Sequence, residues 1–112
     1  MDQTSGQVAV SWYDCRADTN NVKTRFYAAV SLDGGEHFSK NIQLEAGQSD
    51  ATMTWPPDYD YFDYTGLAYH GGILYPAWAD NSNVPSGNPD FPDFCGSCTN
   101  RQMDIYVGRL HY

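Results

Sequence analysis

The chain has 112 residues, which is the size of one ordinary domain and enough to bury a modest core. Fourteen acidic residues against six basic ones give a net charge of −8, without the basic stripe that neutralises phosphates. These numbers argue against a protein that binds nucleic acid or anionic membrane surfaces. No apolar run approaches the roughly 20 residues of a membrane helix, so we expect no membrane insertion.

The predicted elements are all strands. Apolar residues alternate with polar ones, Tyr, Trp and Phe are abundant, and no segment has a helical stripe, so the sequence predicts an all-β protein of antiparallel strands in a single β region, 1–112. In chain order the predicted strands are 7–14, 23–31, 40–46, 61–70, 71–80 and 101–112. The long connection over 81–100, rich in Pro, Gly and Asn, indicates a functional loop or an insertion.

Two segments of the chain repeat. VAVSWYD and LYPAWAD both end in Trp-x-Asp, and each is followed after a loop by a strand with a Tyr in matching register, Tyr27 in RFYAAVS and Tyr106 in DIYVGRL. Repetition of one hairpin with tolerated loop insertions is typical of blade-type β architectures. We expect Trp12 and Trp78 to be core wedges between blades, and the two aspartates to cap the loops that follow them.

SLDGGEHF, the turn after the second strand, resembles the Asp-box or bacterial neuraminidase repeat, whose pattern is Ser-x-Asp-x-Gly-x-x-Trp/Phe. With the two Trp-x-Asp strands it makes residues 6–110 resemble successive strands of sialidase-like β-propellers, a family that includes secreted bacterial exo-sialidases and glycosyl hydrolases. The resemblance implies antiparallel four-stranded blades and an extracellular protein, although the N-terminus lacks the features of a signal peptide. The first blade would span about 6–47 and the second about 58–112, with 81–100 as an inserted loop.

The Asp-box residues have a structural role in this interpretation: Ser31, Asp33, Gly34, Gly35 and Phe38. The Asp carboxylate accepts backbone N–H groups of its own turn, and the glycines supply the positive φ angles of the reversal. We expect Phe38 to tuck into the side of the blade and Ser31 to close the turn. The motif therefore indicates a fold and carries no chemistry of its own.

The chain is too short for a complete propeller. A blade takes ~40–45 residues and propellers have ~4–8 blades, so this chain supplies about two and the fold is incomplete in one chain. Two blades alone leave apolar strand edges unpaired, which invites pairing with other strands. We expect completion by flanking blades or by further copies of the chain, with self-association in either case.

The resemblance implies a sialidase site of three arginines, a Tyr–Glu nucleophile pair and an Asp acid/base. None of the four arginines matches a family motif closely enough to take over a role, and the only glutamates, Glu36 and Glu45, are expected on the outer part of a blade. We therefore assign no catalytic residue and expect no activity of this chain alone. If it is active, the resemblance implies an exo-sialidase-like glycoside hydrolase.

The acidic, aromatic segment PPDYDYFDYTG is the first candidate for a ligand site, through Asp58, Asp60, Tyr61 and Asp63. Three interpretations stay open: a solvated turn, a Ca²⁺ site of the three carboxylates, and a role in sugar binding or acid–base chemistry. Apart from this calcium no cofactor is expected. Trp55, which belongs to no repeat, and Arg16, which follows the first Trp-x-Asp, are further candidates for binding a glycan.

The three cysteines, Cys15, Cys95 and Cys98, are disulfide candidates. Cys95-Gly-Ser-Cys98 has CxxC spacing but lacks the second CxxC or nearby His of a zinc site. A disulfide within this pair, or between Cys15 and one of the pair, is the first interpretation. Free thiols and a metal or redox role are the alternatives.

Three functions follow from these observations. The first is a non-catalytic module of a sialidase-like propeller, structural or glycan-binding. The second is a segment of an exo-sialidase-type glycoside hydrolase whose other blades carry the missing arginines and glutamate. The third is a self-assembling structural protein that forms rings or filaments through its edge strands.

Overall fold

The computed structural model describes residues 1–53, 61, 65–82 and 103–112, and over these residues the all-β, antiparallel prediction is confirmed. The strands are β1 (Val8–Asp14), β2 (Lys23–Ser31), β3 (Ile42–Gln43), β4 (Ser49–Asp50), β5 (Gly66–His70), β6 (Ile73–Asp80), β7 (Asp104–Val107) and β8 (Leu110–His111). A single turn of 3₁₀ helix covers Ala51–Met53. No helix in the described part of the chain is long and apolar enough to cross a membrane.

The strands form two antiparallel sheets, each arranged around one long strand. In the first sheet β2 lies between β1 and β3, and β4 pairs with the beginning of β2. In the second sheet β6 lies between β5 and β7. β8 continues β7 along β6 in the same register, so the two short strands act as one interrupted strand.

The predicted third strand, 40–46, is too long, because β3 ends at Gln43. Beyond that point the Glu45 side chain, and not a backbone carbonyl, accepts the Phe26 N–H at 2.6 Å. A side-chain acceptor cannot extend the ladder to a neighbouring strand, so regular pairing stops there. Pairing with β2 resumes at β4, a strand that the sequence pattern did not predict.

The predicted strands of the second sheet also need correction. The last one, 101–112, is interrupted in the described part, because the Gly108 N–H donates to the Pro76 carbonyl at 2.9 Å and proline has no N–H to donate in return. β5 begins at Gly66, five residues later than predicted, and Tyr61 lies outside any strand. β6 agrees with its prediction to within two residues.

The internal repeat is confirmed by strand register. Trp12 pairs with Tyr27 across the first sheet, and Trp78 pairs with Tyr106 across the second. The rings stack in both pairs, with centroids 6.2 Å and 5.9 Å apart. The hairpins β1–β2 and β6–β7 are therefore equivalent, although β1 is an edge strand among the described residues and β6 is a central one.

The two sheets pack against each other through a small apolar core. Both sheets contribute buried residues to it: Ala9, Ala28, Val30, Tyr69 and Leu74. Beside this core the Phe26 ring stacks on the Trp78 ring at 5.0 Å. Trp78 is thus packed between the two sheets. Because side chains alternate along a strand, Trp12 points with Tyr27 to the opposite face of the first sheet, and its predicted role as a wedge between blades stays a prediction.

The turn between β2 and β3 has the geometry that the Asp-box pattern predicts. Asp33 Oδ1 accepts the His37 N–H at 2.9 Å and the Ser31 hydroxyl at 2.7 Å. The Ser31 oxygen in turn accepts the Gly35 N–H at 2.8 Å. Gly34 and Gly35 have φ angles of 77° and 105°, which residues with a Cβ rarely adopt.

Phe38, the aromatic residue of the box, does not pack as predicted. Its side chain is 44 % exposed and does not tuck into the sheet. It lines a groove of about 330 Å³ with Leu32 and Tyr112, which are also exposed. The turn is therefore held by its polar groups, and the aromatic side chain contributes little burial.

Candidate functional site

The predicted ligand site falls only partly within the described residues. Four of its candidates lie outside them: Trp55, Asp58, Asp60 and Asp63. Their sugar-binding and calcium-binding roles therefore stay predictions. Tyr61 is described, and it is 8 % exposed with its ring stacked on Tyr13 at 4.6 Å between centroids. This residue of the predicted site is thus packed between the sheets and does not face solvent.

Arg16, the other described candidate, lies on the outer face of the first sheet. Its Nε donates to Asp14 Oδ2 at 2.7 Å, and its guanidinium lies 5.1 Å from the centre of the Tyr27 ring. The Arg16 side chain and the Trp12 indole hold the pKa of Asp14 well below its ordinary value. The Arg16 side chain remains 51 % exposed, so it combines a fixed position with a face open to solvent.

The cysteine predictions are tested only in part. Cys15 has a free thiol and is partly buried. Cys95 and Cys98 lie outside the described residues, so the disulfide that we expect for them stays a prediction.

Between the two sheets lies a group of side chains that the sequence patterns did not bring together. We name it the seam cluster, and its members are Tyr13, Glu45, Tyr61, Trp78 and Asp80. The first sheet supplies Tyr13 from β1 and Glu45 from the segment after β3, and β6 of the second sheet supplies Trp78 and Asp80. The cluster therefore contains polar groups from both sheets in one largely buried region.

Glu45 links the sheets through both oxygens of its carboxyl group. Oε1 accepts the Phe26 N–H of β2 at 2.6 Å, and Oε2 accepts the Trp78 indole N–H of β6 at 2.9 Å. The same carboxyl lies beside that of Asp80, which raises the pKa of Glu45. Glu45 thus lies between the two sheets, whereas Glu36 is exposed on the Asp-box turn, and the predicted place of both on the outer part of a blade stays a prediction.

Asp80 ends β6 and is 1 % exposed. Its Oδ1 accepts the Ser82 N–H, as Asp14 Oδ1 accepts the Arg16 N–H at 2.8 Å. The prediction that these two aspartates cap the loops after their strands is therefore confirmed. Asp80 Oδ2 is also buried, but no N–H or O–H group of the described residues donates to it.

Tyr13 connects the sheets at the end of β6. Its hydroxyl donates to the Ala79 carbonyl at 2.8 Å and accepts the Ala79 N–H at 2.9 Å. β5 begins at Gly66, opposite Ala77, so it does not reach Ala79. The phenol thus takes the place of a strand partner. Burial raises the pKa of Tyr13 to about 12, which keeps this hydroxyl protonated and able to donate.

The environment of Glu45 changes its protonation. Burial and the neighbouring Asp80 carboxyl raise the pKa of Glu45 to about 8, although the N–H groups of Trp78 and Phe26 act in the opposite direction. A buried carboxyl group next to another acid favours its neutral form, since two charges in contact repel each other where water cannot screen them. Glu45 is therefore mainly a neutral acid at pH 7.

The Asp-box turn holds a group of side chains of the metal-ligating type, Asp33, Glu36 and His37, whose ligand atoms lie within 4.8 Å of one another. All three are exposed, and His37 Nδ1 lies 2.7 Å from Asp33 Oδ2. Because Asp33 already accepts the N–H and O–H groups that form the turn, we assign this group a structural role.

Comparison with family models, with curated proteins and with solved structures finds no match to this chain. The resemblance to sialidase-like propellers therefore rests on the residues of the chain itself. The class that the fold defines is that of all-β proteins with antiparallel sheets.

Proposed function

We propose that this chain is a segment of a sialidase-like β-propeller, that it supplies two of the blades, and that its role there is non-catalytic. The role is structural, or it is the binding of a glycan on the exposed surface around Arg16. Two features support the proposal: the equivalent Trp–Tyr pairs in the two hairpins and the polar turn at Asp33. Flanking blades or further copies of the chain complete the sheets.

One observation supports the non-catalytic role above the others: acidic side chains accept hydrogen bonds from backbone N–H groups. Seven acidic side chains of the described residues accept main-chain N–H groups: Asp2, Asp14, Asp18, Asp33, Glu45, Asp50 and Asp80. A glycoside hydrolase needs two carboxyl groups that flank a bond of the substrate. The carboxyl groups that meet in the seam cluster, Glu45 and Asp80, hold two sheets together, and Asp80 is closed to a substrate by its burial.

The edges of the sheets support completion by other strands. β2, the equivalent of β7 in the repeat, has strand partners on both sides, whereas β7 pairs only with β6 among the described residues. On β7 the side chains of Ile105 and Val107 are 74 % and 68 % exposed. An apolar edge strand of this kind is a template for pairing with another chain.

Hydrolysis of a fluorogenic sialoside by the purified chain tests the non-catalytic role. We expect no release of the fluorophore above the buffer rate, because most of the described carboxyl groups accept hydrogen bonds from backbone N–H groups. Release that Glu45→Gln abolishes and Glu36→Gln leaves intact would overturn the proposal in favour of an active exo-sialidase-like enzyme.

Sedimentation velocity at micromolar concentration tests the association. We expect oligomers of the wild-type chain, and we expect Val107→Lys to weaken them, because an inserted charge blocks pairing at an edge strand. Val22→Lys is the matched control, since Val22 is exposed in the loop before β2. A wild-type chain that stays a folded monomer would contradict completion by copies of itself.

A glycan array separates the structural role from the glycan-binding role. If the outer face of the first sheet binds a glycan, Arg16→Gln removes the signal while the control Lys40→Gln, in the exposed segment just before β3, retains it. If the wild-type protein binds no glycan on the array, the glycan-binding role is ruled out and the structural role remains.

A further inference from the structure

The contact between Glu45 and Asp80 crosses the boundary between the sheets. Glu45 is fixed by the Phe26 N–H of the first sheet, and Asp80 is part of β6 in the second sheet. Neither carboxyl forms an ion pair with a Lys or Arg side chain of the described residues. Two charged carboxylates in this position would repel each other across the boundary that they help to form.

A single proton bound by Glu45 or Asp80 removes the repulsion between the two carboxylates. Asp80 Oδ2 is buried and receives no hydrogen bond from an N–H or O–H group in the described part of the chain. Such an orphaned acceptor costs free energy, roughly 1–3 kcal/mol for a buried polar group. A protonated Glu45 can donate to Asp80 and still accept hydrogen bonds from the Phe26 N–H and the Trp78 indole, because a carboxylic acid retains acceptor capacity on both oxygens.

We propose that Glu45 and Asp80 share a single proton and form a pH-sensitive clamp between the two sheets. With the proton bound, the pair is an acid–carboxylate hydrogen bond that holds the sheets together. Loss of the proton places two carboxylates in contact and loosens the boundary. This property belongs to the pair of sheets and does not depend on whether the chain is part of a propeller.

The two tyrosines beside the pair do not change their charge in the same pH range. Tyr13 from β1 and Tyr61 face the cluster, and burial raises the pKa of both phenols above the ordinary value of 10. Asp104 of β7 lies opposite Asp80 in the ladder and takes part in an interaction of its own. The two tyrosines therefore leave the change of charge at this boundary to the Glu45–Asp80 pair.

The direction of the pH effect follows from the raised pKa of Glu45, which moves from 4.5 to about 8 on folding. The folded chain binds a proton more tightly than the unfolded chain, so stability is complete below about pH 4.5 and is lost as the pH rises through about 8. For one proton the folding equilibrium constant falls by at most about tenfold per pH unit within this window.

The test uses two readouts on the whole chain between about pH 5 and pH 9. The first is the free energy of unfolding in urea, and the second is the NMR signal of the Trp78 indole N–H, which donates to Glu45. For the wild type we expect stability to fall with pH, and the indole signal to shift with a midpoint near pH 8.

Asp80→Asn is the decisive variant. The amide that it introduces keeps an oxygen for the Ser82 N–H and places a permanent N–H donor where the shared proton lay, so the pH dependence disappears and the variant is more stable than the wild type at pH 9. Glu45→Gln also removes the titration of the pair, but it loses an acceptor for the N–H of Phe26 or of Trp78. Its free energy of unfolding should therefore not change with pH and should be lower than that of the wild type at every pH. Glu36→Gln, on the exposed turn, keeps the wild-type profile.

Two results would overturn the proposal. One is a wild-type indole signal and stability that do not change between about pH 5 and pH 9. The other is an Asp80→Asn variant that folds and retains the wild-type slope. Because the indole shift is read in the folded state, a variant with low stability still gives a result.

Discussion

The two hairpins of the repeat share a backbone register but use the same residue types in different ways. Trp12 and Trp78 occupy equivalent positions, each stacked on the Tyr across from it. The Trp12 indole donates to Asp14 of its own strand at 3.0 Å on the outer face of the first sheet. The Trp78 indole donates to Glu45 of the other sheet and is 4 % exposed.

This difference separates what a repeat determines from what the surroundings determine. The register fixes where each Trp and Asp lies along its strand. Burial and the neighbouring sheet then decide whether the Asp is a charged partner of a cation, as Asp14 is with Arg16, or a member of a carboxyl pair, as Asp80 is with Glu45. Equivalent positions therefore have opposite electrostatic roles.

The largest expected effect is the loss of Trp78. Trp78→Ala removes a buried ring that stacks on Phe26 and leaves Glu45 Oε2 without its indole donor, so we expect a loss of about 3–5 kcal/mol in the free energy of unfolding. Trp12→Ala removes a partly exposed ring and costs less than half as much. Urea unfolding of both variants measures the difference. Equal losses would show that the two Trp residues have the same role after all.

The next effect concerns Tyr13, which has no counterpart in the second hairpin, where Ala79 occupies the equivalent position. Tyr13→Phe leaves the Ala79 N–H and carbonyl without the hydroxyl that serves both, and we expect a loss of about 1–3 kcal/mol. Hydrogen exchange at the Ala79 amide should accelerate. Tyr27→Phe is the control, because its hydroxyl makes only a 3.3 Å contact with Gln43. An unchanged Ala79 exchange rate would contradict the role of the phenol.

The sequence predicted the parts of this structure that depend on local pattern. β2 has the predicted bounds, and the Trp–Tyr register and the Asp-box turn follow from residue type and spacing. The sequence contained a sign of the interruption at Gly108, since Pro76 stands within a predicted strand. No feature of the sequence predicted the seam cluster. The Glu45 side chain takes the place of a backbone acceptor for the Phe26 N–H of the neighbouring strand β2, and no periodicity shows that this side chain turns inward to meet Asp80.

The candidate ligand site shows the same limit. Alternating Asp and Tyr residues marked one segment of the chain, but the pattern did not tell which side chains would be buried. Tyr61, which is described, packs on Tyr13 and belongs to the boundary between the sheets. Composition identified a region rich in functional groups, and only the three-dimensional packing separates a ligand-facing group from a structural one.

A third prediction sharpens the contrast between the two aspartates through pH. The lowered pKa of Asp14 means that its contribution to stability is present above its ordinary pKa of 3.8 and is lost as the pH falls below that value. Asp14→Asn should therefore flatten the acid side of the stability profile, whereas Asp80→Asn flattens the alkaline side. Urea unfolding from acid to alkaline pH measures both. An acid profile of Asp14→Asn that matches the wild type would remove the contrast.

The smallest expected effect is that of Arg16, whose equivalent in the second hairpin is Ser82. Both residues donate their backbone N–H to the preceding Asp, and Arg16 adds a side-chain ion pair that is half exposed. Exposed pairs contribute little, so Arg16→Gln should lower the free energy of unfolding only slightly, and salt should reduce the difference. Lys40→Gln removes the same charge from an exposed position just before β3. If both variants lose equal stability at low salt, the Arg16–Asp14 pair contributes nothing beyond net charge, and the two hairpins differ only at the boundary between the sheets.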